Sequence, residues 1–429
     1  MGHTMAASHM ASRVSTFDPN GSVWTEFSPL SAAVGAANLG QGFPNLPLPA
    51  MVTDALHAAT EDHGVLGHQY ARSQGAPALV EALAAGGEGK LGRSLDPMSE
   101  VVVTSGASAA IFAVIAAFVN PGDGVVLMEP MYDSYPAAVE LAGGVTSSVP
   151  LRWEGGEGKQ GLSHASGWTL DLEELDAAVG EESKVLVVNT PHNPTGKVFT
   201  KEELEGIAAI AIDRDLIVLA DEVYDTIVYP GASHVAIASL PGMAERTITI
   251  GSAGKTFSVT GWRLGWALGP PDLLSAMWLV NQYITFASTT PIQNAIASLL
   301  NAANAPDSTY YADTVALLET KRDQLVGALA SAGMDPIVPE GSYFALANTS
   351  GLGDGPFPFT PVEGVPVGAS NSRDYQVARW LTQTGGVTAI PPSAFYMPEH
   401  AEEAADFVRF CFCKDDATLD AAIQRLATL

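Results

Sequence analysis

Five short apolar runs, each stopped by a polar residue or a glycine, constrain this chain more than any other feature. They are Val101-Val102-Val103, Val125-Val126-Leu127-Met128, Val185-Leu186-Val187-Val188, Ile217-Val218-Leu219-Ala220 and Thr247-Ile248-Thr249-Ile250. A strand with one wet face alternates apolar and polar residues. Runs that stay apolar suit strands covered on both faces, as in a mostly parallel sheet between helices. Helical patterns separate the runs. Thr200-Lys201-Glu202-Glu203-Leu204 predicts a helix that opens on a capping box, and Asp171-Leu172-Glu173-Glu174-Leu175 opens another in a similar way. The expected fold is α/β.

The 429 residues are enough for two domains. After residue 300 the pattern changes to a long helix around 310–332, then short strands and helices. The reading is an N-terminal arm with part of a small domain over 1–50, a large domain over 51–300, and a small α+β domain over 301–429. Residues 1–12 contain Ser8-His9-Met10-Ala11-Ser12, which resembles a cloning remnant, and carry no apolar signal-peptide core. Residues 154–167 and 348–372 are rich in Gly with Ser or Pro and read as loops. The second is long enough to suggest a lid. Residues 101–119 are interrupted by Thr104-Ser105-Gly106 and Ser108, so they read as a strand, a turn and a buried helix, not a membrane span.

Charge narrows the function. Lys and Arg number 20 against 47 Asp and Glu, a net charge of −27. Such a surface repels phosphate backbones and anionic lipid, which argues against nucleic-acid and polybasic membrane partners. The two cysteines, Cys411 and Cys413, lie in Val408-Arg409-Phe410-Cys411-Phe412-Cys413. They read as buried thiols of a reducing, cytoplasmic protein rather than a disulfide or a metal site.

Chemistry gathers at the ends of the apolar runs. Gly251-Ser252-Ala253-Gly254-Lys255-Thr256, followed by Gly261-Trp262-Arg263-Leu264-Gly265, places a lysine among small residues after one run. Partial burial there lowers an ammonium pKa and leaves a nucleophilic amine, although an isolated lysine in a Gly-rich turn is more often an ordinary surface residue. Asp221, in Ala220-Asp221-Glu222-Val223-Tyr224, ends another run, where α/β sheets bind ligands. A buried carboxylate needs a cation, which a protonated pyridine nitrogen would supply; the plain alternative is a helix-capping Asp with a packing Tyr. Asn189-Thr190-Pro191-His192-Asn193-Pro194 holds Asn193 in a rigid loop or is simply a turn. Ser105-Gly106-Ala107-Ser108 precedes an apolar helix whose free amides favour a phosphate. Arg409 can grip a carboxylate through two parallel hydrogen bonds, or can be one half of a surface ion pair.

Together these motifs resemble the pyridoxal-phosphate-dependent aminotransferases of class I/II and fold type I. The chain is most similar to the kynurenine–oxoglutarate aminotransferase, glutamine transaminase K and cysteine-S-conjugate β-lyase group. The resemblance runs from about Trp24 to the end and is strongest at Asn38-Leu39-Gly40-Gln41-Gly42-Phe43-Pro44, residues 189–197, 237–265 and 409–419. It implies pyridoxal 5'-phosphate as cofactor and Lys255 as the residue that forms its imine and moves the substrate Cα proton. Asp221 would pair with the ring nitrogen, while Asn193 and Tyr224 would hydrogen-bond the ring phenolate. Asn189 also falls among the cofactor residues. Gly106, Ala107, Ser252 and Arg263 would hold the phosphate, with Tyr70 coming from a second subunit, and Tyr132 would stack on the ring. Arg409 and Asn193, with the Gly42 amide, would take the substrate carboxylate. Trp24 would close over the substrate side chain, and Phe286 would lie near it.

Three departures bear on substrate choice. Ser108 stands where relatives carry a bulkier residue, Phe286-Ala287 where they often carry Phe-His, and the 348–372 segment is unusually loop-like. No second arginine motif favours a dicarboxylate donor. The implied reaction is ping-pong transfer of an amino group from an aromatic, kynurenine-, methionine- or glutamine-like L-amino acid to a 2-oxo acid by a homodimer. The alternative enzymatic reading is β-elimination from cysteine S-conjugates. A non-catalytic regulator is disfavoured, because such proteins carry a DNA-binding extension and this chain has no room for one before Trp24.

Overall fold

A computed structural model describes residues 9–17, 22–61, 63–155 and 161–429. Residues 1–8 of the expected remnant and 156–160 of the first Gly-rich loop lie outside the described residues. All five apolar runs are strands of one seven-stranded sheet. Its members are β2 (Val101–Thr104), β3 (Gly124–Glu129), β4 (Val145–Pro150), β8 (Ser183–Asn189), β9 (Ile217–Asp221), β10 (Thr247–Ser252) and β11 (Gly265–Leu268), in the order β2-β11-β10-β9-β8-β3-β4. Neighbours are parallel except at β11, which runs antiparallel to both β10 and β2. Every residue of β2 is buried, as are the apolar stretches of β3, β8 and β10 and all of β9 but the half-buried Ile217. Covering both faces with helices is what lets these strands do without polar alternation.

The expected caps form. Thr200 accepts from the Glu203 amide while Glu203 accepts from the Thr200 amide, a closed capping box on helix Lys201–Asp213. Asp171 caps helix Leu172–Ala178 by accepting from the amides of Glu173 and Glu174. The long helix spans Tyr310–Ser331.

A second unit stands on the carboxyl side of the large sheet. It contains β15 (Phe407–Cys411), β13 (Phe344–Asn348), β12 (Asp335–Val338) and β6 (Ser163–His164) in that order. β6 comes from mid-chain, next to the Gly-rich loop, and is too short to show in a hydropathy pattern. β1 (Ala37–Asn38) pairs in parallel with β14 (Val387–Thr388), which joins the two ends of the chain. A short antiparallel pair of β5 (Arg152–Trp153) and β7 (Trp168–Thr169) lies outside both sheets. One apolar cluster runs from Leu127 and Leu219 of the large sheet to Phe344, Ile390 and Phe410 of the second unit, so the two pack through a shared core. Among the described residues no helix is long and apolar enough to cross a membrane.

A buried ion pair ties down the long Gly/Pro segment. Glu26, on helix Val23–Val34, faces Arg379 on helix Arg373–Gln383, with Nη2 3.0 Å from Oε2. Arg379 also donates to the carbonyls of Gly368 (3.0 Å) and Ser370 (2.8 Å), and the Gly368 amide donates to Glu26 at 2.8 Å. The segment that the sequence suggests is a lid is thus anchored at one end by a satisfied charge network. Removing one partner strands the other charge in the interior. Arg379→Met is expected to lower stability by about 3–5 kcal/mol, read as an earlier midpoint in chemical denaturation.

Candidate active site

The carboxyl ends of the parallel strands meet at one cavity of about 490 Å³ between the large sheet and the second unit. Its wall includes Trp24, Gly42, Ala107, Tyr132, Asn189, Asn193, Asp221, Tyr224, Ser252, Lys255, Arg263 and Arg409. Strand register explains the convergence. Asn189, Asp221 and Ile250 are direct neighbours across β8, β9 and β10, so the residues that end these strands open onto the same crevice.

Asp221 is buried, and among the described residues it has no ion-pair partner. It accepts from the Tyr135 hydroxyl at 2.6 Å and the Val223 amide at 3.3 Å. Burial raises its pKa, and these two hydrogen bonds with the nearby Lys255 charge offset only part of that rise. A carboxylate held this way calls for a cation. Asn189 fixes its backbone, donating from Nδ2 to the Asp221 carbonyl at 2.8 Å while Oδ1 accepts from the Asn193 amide at 2.9 Å.

Lys255 lies in the short helix Ala253–Thr256 that directly follows β10. Burial lowers its pKa; the Cys413 and Cys411 side chains and Asp221 pull it back up, and the Arg263 charge pushes it down. Its Nζ donates to the Tyr343 hydroxyl at 2.7 Å. A lysine with a depressed pKa and no carboxylate partner is poised to act as a nucleophilic amine.

An anion cradle lies beside it. Gly106, at φ +92°, caps helix Ala107–Phe118, and a Cβ there would meet Arg263 Nη2 at 2.6 Å. Across the cradle, a Cβ on Gly265 would meet the Ala107 amide nitrogen at 2.5 Å. Ser252, Thr260 and Arg263 complete the wall, with Arg263 held in a left-handed turn (φ +52°) and donating to the Thr260 carbonyl at 3.0 Å. The Gly106 amide itself donates to the Thr104 carbonyl at 2.8 Å, and backbone approach this close leaves space for a phosphate at the first turn of the helix.

At the opposite end Arg409 of β15 is fully buried with no carboxylate beside it among the described residues, so it is not the surface ion-pair member that its residue type alone would allow. Nη1 donates to Asn193 Oδ1 at 3.2 Å and Nη2 to the Gly40 carbonyl at 3.0 Å, while Nε has no partner. Phe344, Phe395 and Trp24 surround the guanidinium at 4.4, 4.8 and 5.4 Å from ring centroids. Burial draws its pKa down to about 10. A desolvated guanidinium with a spare N–H fits an incoming carboxylate.

A carboxylate seeking a cation, a phosphate cradle and a depressed lysine share one cavity, so the residues present fit pyridoxal phosphate. Tyr132 lines the wall with its hydroxyl 3.4 Å from Ser108, whose small side chain leaves room there. The Trp24 indole donates to Asp133 at 2.8 Å. Two expected residues are elsewhere. Tyr70 is 83% exposed and Phe286 53% exposed, stacked edge to face on each other at 5.0 Å. Phe286 ends helix Pro271–Thr285 in a left-handed turn (φ +62°), which turns it away from the cavity of its own chain. Among the described residues Phe286 does not line the cavity of its own chain.

Sequence reasoning passed over Asp133, Tyr135, Tyr343 and Phe344. Tyr135 sits in the first turn of helix Ser134–Ala142, where it looks like packing. Tyr343 and Phe344 read as the apolar start of β13. The preceding Gly341-Ser342, with Ser342 at φ +61°, was the available sign of a turn that aims them at the site.

Fold and site define an aminotransferase of fold type I. The chain belongs to the family Aminotransferase class I and II, which matches residues 35–426, and it is a pyridoxal-phosphate-dependent enzyme. It is 42% identical over 428 residues to the kynurenine–oxoglutarate transaminase of Dictyostelium discoideum, covering 97% of this chain and 95% of that one. Among solved structures, the Saccharomyces cerevisiae protein Bna3p superposes with a TM-score of 0.89 at 31% identity, with 98% of each chain covered. The Escherichia coli protein YbdL, with an identified methionine aminotransferase function, gives 0.82 at 31%, covering 98% of this chain and 99% of its own. These relatives favour transamination over the β-elimination alternative.

Crowding at the cradle yields a direct test. Gly265→Ala must displace the Ala107 amide, and it is expected to weaken cofactor affinity at least about tenfold, read by equilibrium titration of the visible cofactor band.

Proposed function

We propose that this aminotransferase takes the amino group from an L-amino acid with an aromatic, kynurenine-, methionine- or glutamine-like side chain and passes it to a 2-oxo acid. The observation that carries this reading is a single cavity with Asp221 and Lys255 at one end and, at the other, Arg409 with no ion-pair partner among the described residues. When bound, pyridoxal phosphate supplies an electron-withdrawing ring that stabilises the charge left at the substrate Cα. The chain supplies the rest. Asp221 would hold a proton on the ring nitrogen, and Asn193 and Tyr224 would bond the ring oxygen. Gly106, Ala107, Ser252 and Arg263 would bind the phosphate, and Tyr132 would pack against the ring. Arg409, Asn193 and the Gly42 amide fix the substrate carboxylate, which decides which Cα bond faces Lys255. The Lys255 amine then takes the Cα proton.

Donor class follows from the wall. Its cations are Lys255, Arg263 and Arg409, all with assigned partners in this scheme, and Asp133 adds a negative charge beside Trp24, Phe43 and Tyr132. A second carboxylate on the donor finds no counter-charge there, whereas an aromatic or thioether side chain finds apolar surface. The kynurenine and methionine named for the relatives are donors of this kind.

We also propose a homodimer. Tyr70 and Phe286 lie with exposed Val65, Leu66, Tyr283 and Ile284 among the large apolar residues left uncovered in a single chain. A second copy would bury them and bring Tyr70 to the neighbouring phosphate. The buried free thiols of Cys411 and Cys413 support a cytoplasmic location, which fractionation of the source cells tests.

Borohydride treatment of the cofactor-loaded protein is expected to fix one adduct on Lys255; a label on any other residue overturns the assignment. The same protein should use aromatic or methionine-like donors at least about tenfold better in kcat/KM than aspartate. Tyr70→Phe should loosen the cofactor in the dimer, and unchanged affinity would remove the cross-subunit role.

A further inference from the structure

Tyr343 is buried, and its hydroxyl bridges two parts of the site. It accepts from Lys255 Nζ at 2.7 Å and donates to the Gly42 carbonyl at 2.9 Å. A phenol has one proton. Giving it to Gly42 leaves only lone pairs for the lysine, so Lys255 is held as a donor whether it is charged or neutral. Burial keeps the phenol well above its usual pKa, so it offers a dipole and not a charge.

The neighbouring residue completes the link. A Cβ on Gly42 would meet the Phe344 ring at 2.5 Å, and the same ring lies 4.4 Å from the Arg409 guanidinium. Two consecutive residues at the start of β13 therefore touch the amine, the Gly42 segment and the carboxylate clamp.

We propose that Tyr343 is a positioning residue: it parks the free Lys255 amine on the Gly42 side of the cavity and fixes its spacing from the substrate-carboxylate end. This rests on the roles proposed above for Lys255, Gly42 and Arg409. The groups facing Lys255 are Asp221 of β9, the Arg263 turn, Cys411 of β15 with Cys413 just beyond it, and the phenols of Tyr224 and Tyr343. Only Tyr343 is hydrogen-bonded to Nζ among the described residues. Its neutral oxygen stabilises the ammonium more than the amine, because a charge-assisted hydrogen bond is the stronger one.

The test uses the full-length enzyme loaded with pyridoxamine phosphate, in which Lys255 carries no bond to the cofactor. Trace acetylation with acetic anhydride across pH, read at the Lys255 peptide by mass spectrometry, gives the titration midpoint of the amine. Tyr343→Phe keeps the ring and is expected to lower that midpoint by about half a unit or more and to cut kcat about fivefold or more. If either quantity stays at the wild-type value, the proposal is overturned. Should the Phe variant fail to fold, 3-fluorotyrosine at position 343 decides: its weaker acceptor oxygen should lower the midpoint in the same direction, and an unmoved midpoint overturns the proposal. Borohydride mapping of the pyridoxal-phosphate form separates the two readings. A label away from Lys255 defeats the lysine assignment itself, whereas a label on Lys255 with an unmoved midpoint defeats only the role of Tyr343.

Discussion

A carboxylate buried at the end of β9 with no ion-pair partner among the described residues is the constraint around which this molecule is arranged. Leaving Asp221 in the interior is unfavourable unless something positive arrives, and the described residues provide only a phenol, an amide and a lysine that stops short of an ion pair. The surrounding fold keeps that need specific. β8 and β10 flank β9 in parallel register, Asn189 locks the Asp221 carbonyl, and Tyr135 fixes the carboxylate orientation. A cationic aromatic ring anchored by a phosphate at the Gly106–Arg263 cradle would meet this need, and the same ring would be the electron acceptor that the proposed reaction demands.

The second unit supplies what the sheet cannot. Arg409, Phe344 and Tyr343 come from β13 and β15 or their edges, and Trp24 from helix Val23–Val34, so the substrate end of the cavity is built by residues from both ends of the chain. Arg409 keeps its charge in an aromatic enclosure, with two of its five N–H groups hydrogen-bonded and Nε without a partner among the described residues. Carbonyl and amide oxygens offset part of its desolvation without neutralising it, so the incoming carboxylate completes the set. Asp221 and Arg409 are thus two incomplete charges of opposite sign facing one space; on the reading proposed above, a protonated ring nitrogen would answer the first and a substrate carboxylate the second.

Polar aromatics hold the spacing between those charges. Tyr135 bonds Asp221, Tyr343 bonds Lys255 and Gly42, and Tyr224 packs edge to face on Tyr343 at 5.1 Å. Large rings have few rotamers and interlock, so a hydroxyl carried on one is placed more rigidly than one on a serine. Burial drives the pKa of all three phenols upward, which keeps them neutral donors and acceptors in a site where a further charge would compete with Asp221 or Lys255.

Much of this was legible in the order of residues. Doubly apolar runs reveal buried parallel strands because a strand covered on both faces has no wet side to mark. The residues that stop them (Asn189, Asp221, Ser252 with Lys255, Gly106 with Ala107) must then lie at the carboxyl ends where such sheets bind ligands. Caps such as Thr200 with Glu203 are settled within one helical turn, so local sequence is enough to read them. Other features depended on distance in the chain. Arg409 reaching Asn193, Tyr343 reaching Lys255 and Trp24 reaching Asp133 are pairings that no local pattern connects, set by how the second unit packs on the sheet, and Arg379 reaching Glu26 is set by how two helices from opposite ends of the chain pack on each other. Phe286 shows the converse, since the left-handed turn at the end of its helix carries it out to Tyr70. Periodicity and capping are short-range properties of a chain, whereas the meeting of charges in a cavity is fixed only when crossing strands and packed helices have chosen their register.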